Sequence, residues 1–382
     1  MPVAVFSTGA TSSLFANTNQ KTIEHSFNVI DFGAKGDGKT DDTKAIQSAI
    51  DAASAVQGNA FVPAGIYMCG EIQMRKFSGL VGEAKWSFSK SGGSILRLND
   101  ANAKCLINLT ESGGCRLTGI CVDGSLFKKG KIIHGMFLAN QAWKEEDGFQ
   151  ISTCRAENFS GDGFRFDHVW CYAMRHSHSY HNKGCGMRIQ GWDGYIIDNW
   201  FSGNGEAGIG AYEDNASFTV TGNRIEWNAK GGIVIYGGNN WQLTGNYIDR
   251  SGGCGIAIYP RGNSWHQNYA ITGNIIYRSG KPECGYKDEY DNAQVRFEGA
   301  KGLLFANNAM YTGRDDNGGI FSPDYGIVIK NLDDSIIKDN TLFHGALKRL
   351  ILDIGGHGPN FIMKDNVGSV RPKDKDGQYI IP

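Results

Sequence analysis

Residues 207–259 read AGIGAYEDNASFTVTGNRIEWNAKGGIVIYGGNNWQLTGNYIDRSGGCGIAIY, and two phrases recur within them. The first is a glycine followed by alternating apolar residues: Gly208-Ile-Gly-Ala211, Gly232-Ile-Val-Ile235, Gly255-Ile-Ala-Ile258. The second ends in asparagine: Thr219-Val-Thr-Gly-Asn223 and Gln242-Leu-Thr-Gly-Asn246. Upstream, Gly163-Phe-Arg-Phe166 and Gly186-Met-Arg-Ile189 extend the first phrase, and Tyr195-Ile-Ile-Asp-Asn199 extends the second. Downstream, Ala270-Ile-Thr-Gly-Asn274 continues it. Successive glycines lie 23, 22, 24 and 23 residues apart, and a fixed period of this size predicts a stacked solenoid. Each phrase alternates with the period of a half-buried strand, and a third short segment follows each asparagine, as in Arg224-Ile-Glu-Trp227. Three short strands per turn with no room for a helix predict an all-β, parallel β-helix. The asparagine column runs on through Asn308, Asn340 and Asn366, where stacked amides can satisfy buried turn backbone.

The 382 residues fit one such domain over 27–370, after a polar arm at 1–26 and before a Lys/Asp-rich, solvated tail at 371–382. Gly is in excess at 53 residues, as tight turns require. A formal charge of −1 offers no basic field for nucleic acid, and no apolar run is long enough to span a membrane. The nine cysteines form no CxxC pairs and read as buried thiols. His168, His176, His178 and His181 crowd one coil, yet no ligand set for a metal stands out, and no cofactor is expected. Met1–Phe6 lacks the basic leader of a secretion signal.

From the N-terminal side, Phe27 to Ile46 reads as a strand, a Gly-rich turn, and a helix over about 42–55 with Asp41 or Asp42 as its cap. Ala45, Ile46, Ala49, Ile50 and Ala53 share one face, suited to plugging the first coil. Lys128–Lys131 and Trp143–Asp147 read as loops, and longer insertions at 279–292 and 312–324 are expected to wall a groove.

The FNVIDFGAKGDGKTDDTKAIQSAID stretch with VPAGIY behind it resembles the N-terminal signature of right-handed β-helix proteins of the pectate lyase superfamily. That group includes family 28-type glycoside hydrolases, polysaccharide lyases, alginate epimerases and phage tailspike depolymerases. The resemblance implies a right-handed coil and a polysaccharide-degrading enzyme, outside the cell or on a virion, with a homo-trimer if of the tailspike kind. The ordered polygalacturonase motifs are missing, since Gly356-His-Gly358 has no Arg-Ile-Lys after it. The Ala207–Ala216 coil resembles one of inulin fructotransferases, which implies Asp214 as an acid with Glu206 beside it. Gly163-Phe-Arg-Phe-Asp-His168 resembles an alginate epimerase coil with altered spacing.

Stacking turns columns into rows about 4.8 Å apart. The second residue after each glycine gives an outward row of Arg165, Arg188, Gly210, Val234, Ala257 and Arg296. The fourth gives Asp167, Gln190, Tyr212, Tyr236, Tyr259 and Glu298. The three tyrosines form an aromatic strip on which sugar faces can stack, with Arg165, Asp167, Arg188 and Arg261 as polar partners; a plain stabilising ladder is the competing reading. Glu213 and Asp214 leave the strip, and Glu226 and Asp249 share a column in successive coils. Two such carboxylates raise each other's pKa and predict an acid–nucleophile pair of a glycoside hydrolase, unless nearby arginines neutralise them. A lyase acting on uronic acids through Arg, His or Tyr is the second expectation, a fructotransferase a third, and a non-catalytic glycan-binding β-helix the last.

Overall fold

In a computed structural model, which describes residues 25–140, 146–262, 266–281 and 288–380, the chain winds into a parallel β-helix. Most of the expected arm, most of the 143–147 loop and the centre of the 279–292 insertion lie outside these residues.

Each coil contributes to three faces. The Gly-led face stacks the start of Phe164–Arg175 and of Met187–Ile197, then Ala207–Ala211, Gly231–Tyr236, Ile256–Tyr259 and Ala293–Glu298. Its register sets Arg165 beside Arg188, then Gly210, Val234, Ala257 and Arg296, which is the row expected from the spacing. A second face follows a bend, where the register shifts between Phe166 and Val169 and His168 takes a positive φ of 56°. The third face stacks His178–Tyr180, Trp200–Ser202, Arg224–Glu226 and Tyr247–Asp249. Inward residues such as Phe166, Ile189, Ile209, Ile233 and Ile256 are almost fully buried in one continuous core, so apolar burial along the axis holds the coils together.

Helix α1 (Thr43–Ala55) covers the first coil with Ile46, Ala49, Ile50 and Ala53. Its N-cap residue is Asp42, whose carboxylate caps nothing and turns back to accept from Lys35 and Gly36; the preceding Asp41 accepts the Thr43 N–H at 3.0 Å instead. The asparagine column is a continuous ladder from Asn199 to Asn366, each side-chain amide donating to the next carbonyl oxygen at 2.9–3.1 Å. A second, shorter ladder of Asn182, Asn204 and Asn228 runs at another corner. The 312–324 insertion folds as an antiparallel hairpin, Gly313–Arg314 with Phe321–Ser322. The tail is anchored rather than solvated at its start: Arg371 is buried, donates to the Thr312 hydroxyl at 2.9 Å and lies over Tyr311 and Phe321.

Candidate functional site

The Gly-led face carries a cleft of about 550 Å³ at the N-terminal end of the tyrosine strip. Its floor is Arg165, Asp167, Arg188 and Tyr212 from the outward rows; His134, Asp162 and Cys185 form one wall, and Lys104, Lys183 and Glu206 edge it. Tyr212 reaches the cleft because residue 210 is glycine. A Cβ there would stand 2.6 Å from the tyrosine ring, so only glycine lets the ring fold back over the strand. The ring then lies 5.1 Å below the Arg188 guanidinium, and its hydroxyl sits 3.7 Å from the Cys185 sulfur. Burial holds the Tyr212 phenol well above its ordinary pKa, so it stays protonated, and burial pushes the Cys185 thiol up to about 12.

The ion pairs the protein makes with itself occupy most of these charges. Arg165 binds Asp167 at 2.6 Å and lies 3.6 Å from Asp162. Arg188 binds Glu213, and Arg261 binds Asp214 at the edge of the strip. Asp162 accepts the Cys185 N–H at 2.7 Å, and burial raises its pKa. His134 accepts the Asp162 N–H on Nδ1 at 3.0 Å, which leaves the proton of the neutral ring on Nε2. Burial, then the charge of Arg165, pushes its pKa down to about 4, so His134 is neutral near pH 7. Among the described residues, Lys104, Lys183 and Glu206 have no ion-pair partner; the Lys104 ammonium rests 3.7 Å over the Phe137 ring.

Beyond the cleft, Tyr212, Tyr236 and Tyr259 follow one another with ring centres 5.7 and 5.0 Å apart, and Tyr236 is the most exposed. The other expected acids lie elsewhere. Glu226 and Asp249 are in register, but on the third face, each only 1% exposed. Glu226 accepts from Trp200 and Arg224, and Asp249 from Arg250 and Arg278. The structure therefore does not bring this pair into the tyrosine groove. Burial raises both of their pKa values, outweighing the arginines beside them, which pull the other way.

Sequence reasoning passed over His134, Asp162, Lys104 and Lys183. The signal was present: His134, Asp162 and Cys185 each stand directly before a coil's leading glycine, and Lys183 and Glu206 two or three residues before it. The turn entering the Gly-led strand, not the turn leaving it, edges the cleft.

A family model described as rhamnogalacturonase A/epimerase, pectate lyase-like, matches residues 26–258, and a right-handed β-helix region model matches 212–367. The chain belongs to this pectate lyase-like family. A curated relative, mannuronan C5-epimerase AlgE2 of Azotobacter vinelandii, is 26% identical over 277 residues, covering 66% of this chain and 25% of that protein. The chain thus spans about a quarter of that relative's length, and less of some others. Among solved structures, the AlgE4 epimerase A-module of the same organism superposes with a TM-score of 0.61 at 18% identity, covering 90% of this chain and 99% of that one. The catalytic unit of an α-1,3-glucanase from Streptomyces thermodiastaticus gives 0.65 at 15% identity, covering 94% and 70%. These likenesses establish the fold, in a family whose named members act on polysaccharides. Among the described residues no helix is long and apolar enough to cross a membrane.

Proposed function

We propose that this pectate lyase-like chain cleaves a uronic-acid-bearing polysaccharide by β-elimination in the cleft at Tyr212. The observation that carries the reading is what remains after internal pairing: two lysines, one carboxylate and one protonated phenol face the cleft. Lys104 and Lys183 then neutralise a sugar carboxylate, which acidifies the neighbouring C5–H. The Glu206 carboxylate takes that proton, the C5 electron pair forms the C4=C5 double bond, and the C4–O bond breaks. Tyr212 gives its proton to the departing glycosidic oxygen, and Arg188 over the ring stabilises the phenolate that forms. His134, with its proton on Nε2, serves as a neutral donor and not as the base.

Hydrolysis by paired acids has less behind it. Glu213 and Asp214 are each tied to an arginine, and Glu226 and Asp249 are inaccessible on another face. The relatives named as mannuronan epimerases also favour a uronate substrate. The test is digestion of a panel of acidic polysaccharides, followed by ultraviolet absorbance of the conjugated product and mass spectrometry. An absorbing product with no added water supports elimination. A saturated product carrying one water establishes a hydrolase instead, and inversion at C5 without chain cleavage, seen by NMR, establishes an epimerase.

A further inference from the structure

The groove does not keep one electrostatic character along its length. At its far end Arg296 is almost buried and is bound by three acids: Asp288 at 2.8 Å, Asp291 at 2.8 Å and Glu298 at 2.9 Å. Lys330 shares Glu298 at 2.9 Å, and Glu289 is exposed beside them. Over these described residues four acids face two cations, a net charge of −2. Asp291 also accepts a hydrogen bond from the Tyr259 hydroxyl, so the acid cluster is tied directly to the last ring of the strip. Between the cleft and the cluster, the outward row holds only Gly210, Val234 and Ala257, which supply no cation. One coil rises about 4.8 Å, close to the length of one sugar unit, so successive sugars fall over Tyr212, Tyr236 and Tyr259.

From this asymmetry, and resting on the uronate reading of the cleft, we infer that the substrate is a mixed polysaccharide in which neutral sugars follow the reacting uronate. Among the described residues, a carboxylate placed over Tyr236 or Tyr259 would meet Asp288, Asp291 and Glu298, while Arg261, Arg296 and Lys330 are each already ion-paired, and like charges brought together exclude the wrong partner. Neutral sugars lose nothing there and gain ring stacking. The cleft selects for an acid, and the strip beyond it selects against a second one.

The test compares binding and turnover of two probes by the whole chain. One is gellan, whose glucuronates are separated by neutral sugars; the other is polymannuronate, which carries an acid on every unit. The expected result is at least roughly ten-fold tighter binding of gellan at low salt. In a D288N/E289Q variant, which leaves Asp291 and Glu298 on Arg296, polymannuronate binding rises roughly two- to five-fold and gellan binding is unchanged. Equal or tighter binding of polymannuronate by the parent, or a variant that moves neither probe, overturns the inference. Binding of neither probe overturns it together with the assignment of the cleft. The reaction is judged separately: gellan bound preferentially with no unsaturated product keeps this inference and removes elimination, whereas unsaturated product from tightly bound polymannuronate does the reverse.

Discussion

At Tyr212 the proposed elimination depends on one hydroxyl whose proton burial retains. Tyr212→Phe keeps the ring over Gly210 and beneath Arg188 and removes only that proton donor. We expect kcat to fall by roughly 10²- to 10³-fold with KM nearly unchanged. A rise in KM at constant kcat would make Tyr212 a stacking platform and nothing more. His178 permits a second test, away from the cleft. It accepts from Arg155 at 2.8 Å beneath the Phe88 ring, and burial, then the Arg155 charge, pushes its pKa down to about 3. The unfolded ring titrates near 6.5. Between these values the unfolded chain holds a proton that the folded chain lacks, so this contribution is full above about pH 6.5 and is lost as pH falls toward 3. Raised carboxyl values such as that of Asp162 act in the opposite sense over part of this range, so the informative quantity is the difference between parent and His178→Gln. The variant should lose less stability on acidification by denaturant titration; parallel pH profiles would sink the assignment.

Among the elements, the asparagine ladder carries a cost of disruption that can be reasoned out atom by atom. Asn274 accepts the backbone N–H and a side-chain N–H of Asn246, and donates to the Leu243 carbonyl and the Asn308 side-chain oxygen. Asn274→Ala takes one bond from each of these four partner groups, at about 1–3 kcal/mol for each buried group left unmet before relaxation, so equilibrium urea unfolding should show a loss of about 3–5 kcal/mol. A change within about 0.5 kcal/mol, the range of ordinary surface sites, would show that the ladder is ornamental to stability. This ladder was legible from the sequence because its asparagines close a repeated phrase. The Asn182–Asn204–Asn228 ladder was not, because it spans only three coils and its flanking residues differ. The register of Glu226 with Asp249 was likewise readable from the period, but their inaccessibility was not. For Glu226 it comes from Trp200 and Arg224; for Asp249 it comes from Arg250 and Arg278, which are themselves held by the hairpin through Asp315, Asp316 and the Arg314 carbonyl, far along the chain. Period predicts which residues are neighbours along the axis; insertions, which obey no period, decide which of them a substrate can reach.

Across the whole molecule, a formal charge of −1 means that no long-range field draws an acidic polymer to the protein. Attraction must be local, from Lys104 and Lys183 at the edge of a cleft whose other charges are mostly paired. Such exposed charges act over about one Debye length, roughly 10 Å at 0.1 M salt. The affinity for an acidic glycan should therefore fall as salt is raised, and the slope should belong to these two residues. In the Lys104→Ala, Lys183→Ala double variant we expect binding at low salt to weaken roughly three- to ten-fold, with the salt dependence nearly abolished and the binding that remains at high salt close to that of the parent. That residue of affinity is the part owed to stacking on Tyr236 and Tyr259, which salt does not screen. Calorimetric titration across a salt series measures both parts at once. An unchanged slope in the double variant would move the anion-binding locus away from the cleft and, with it, the reaction proposed there.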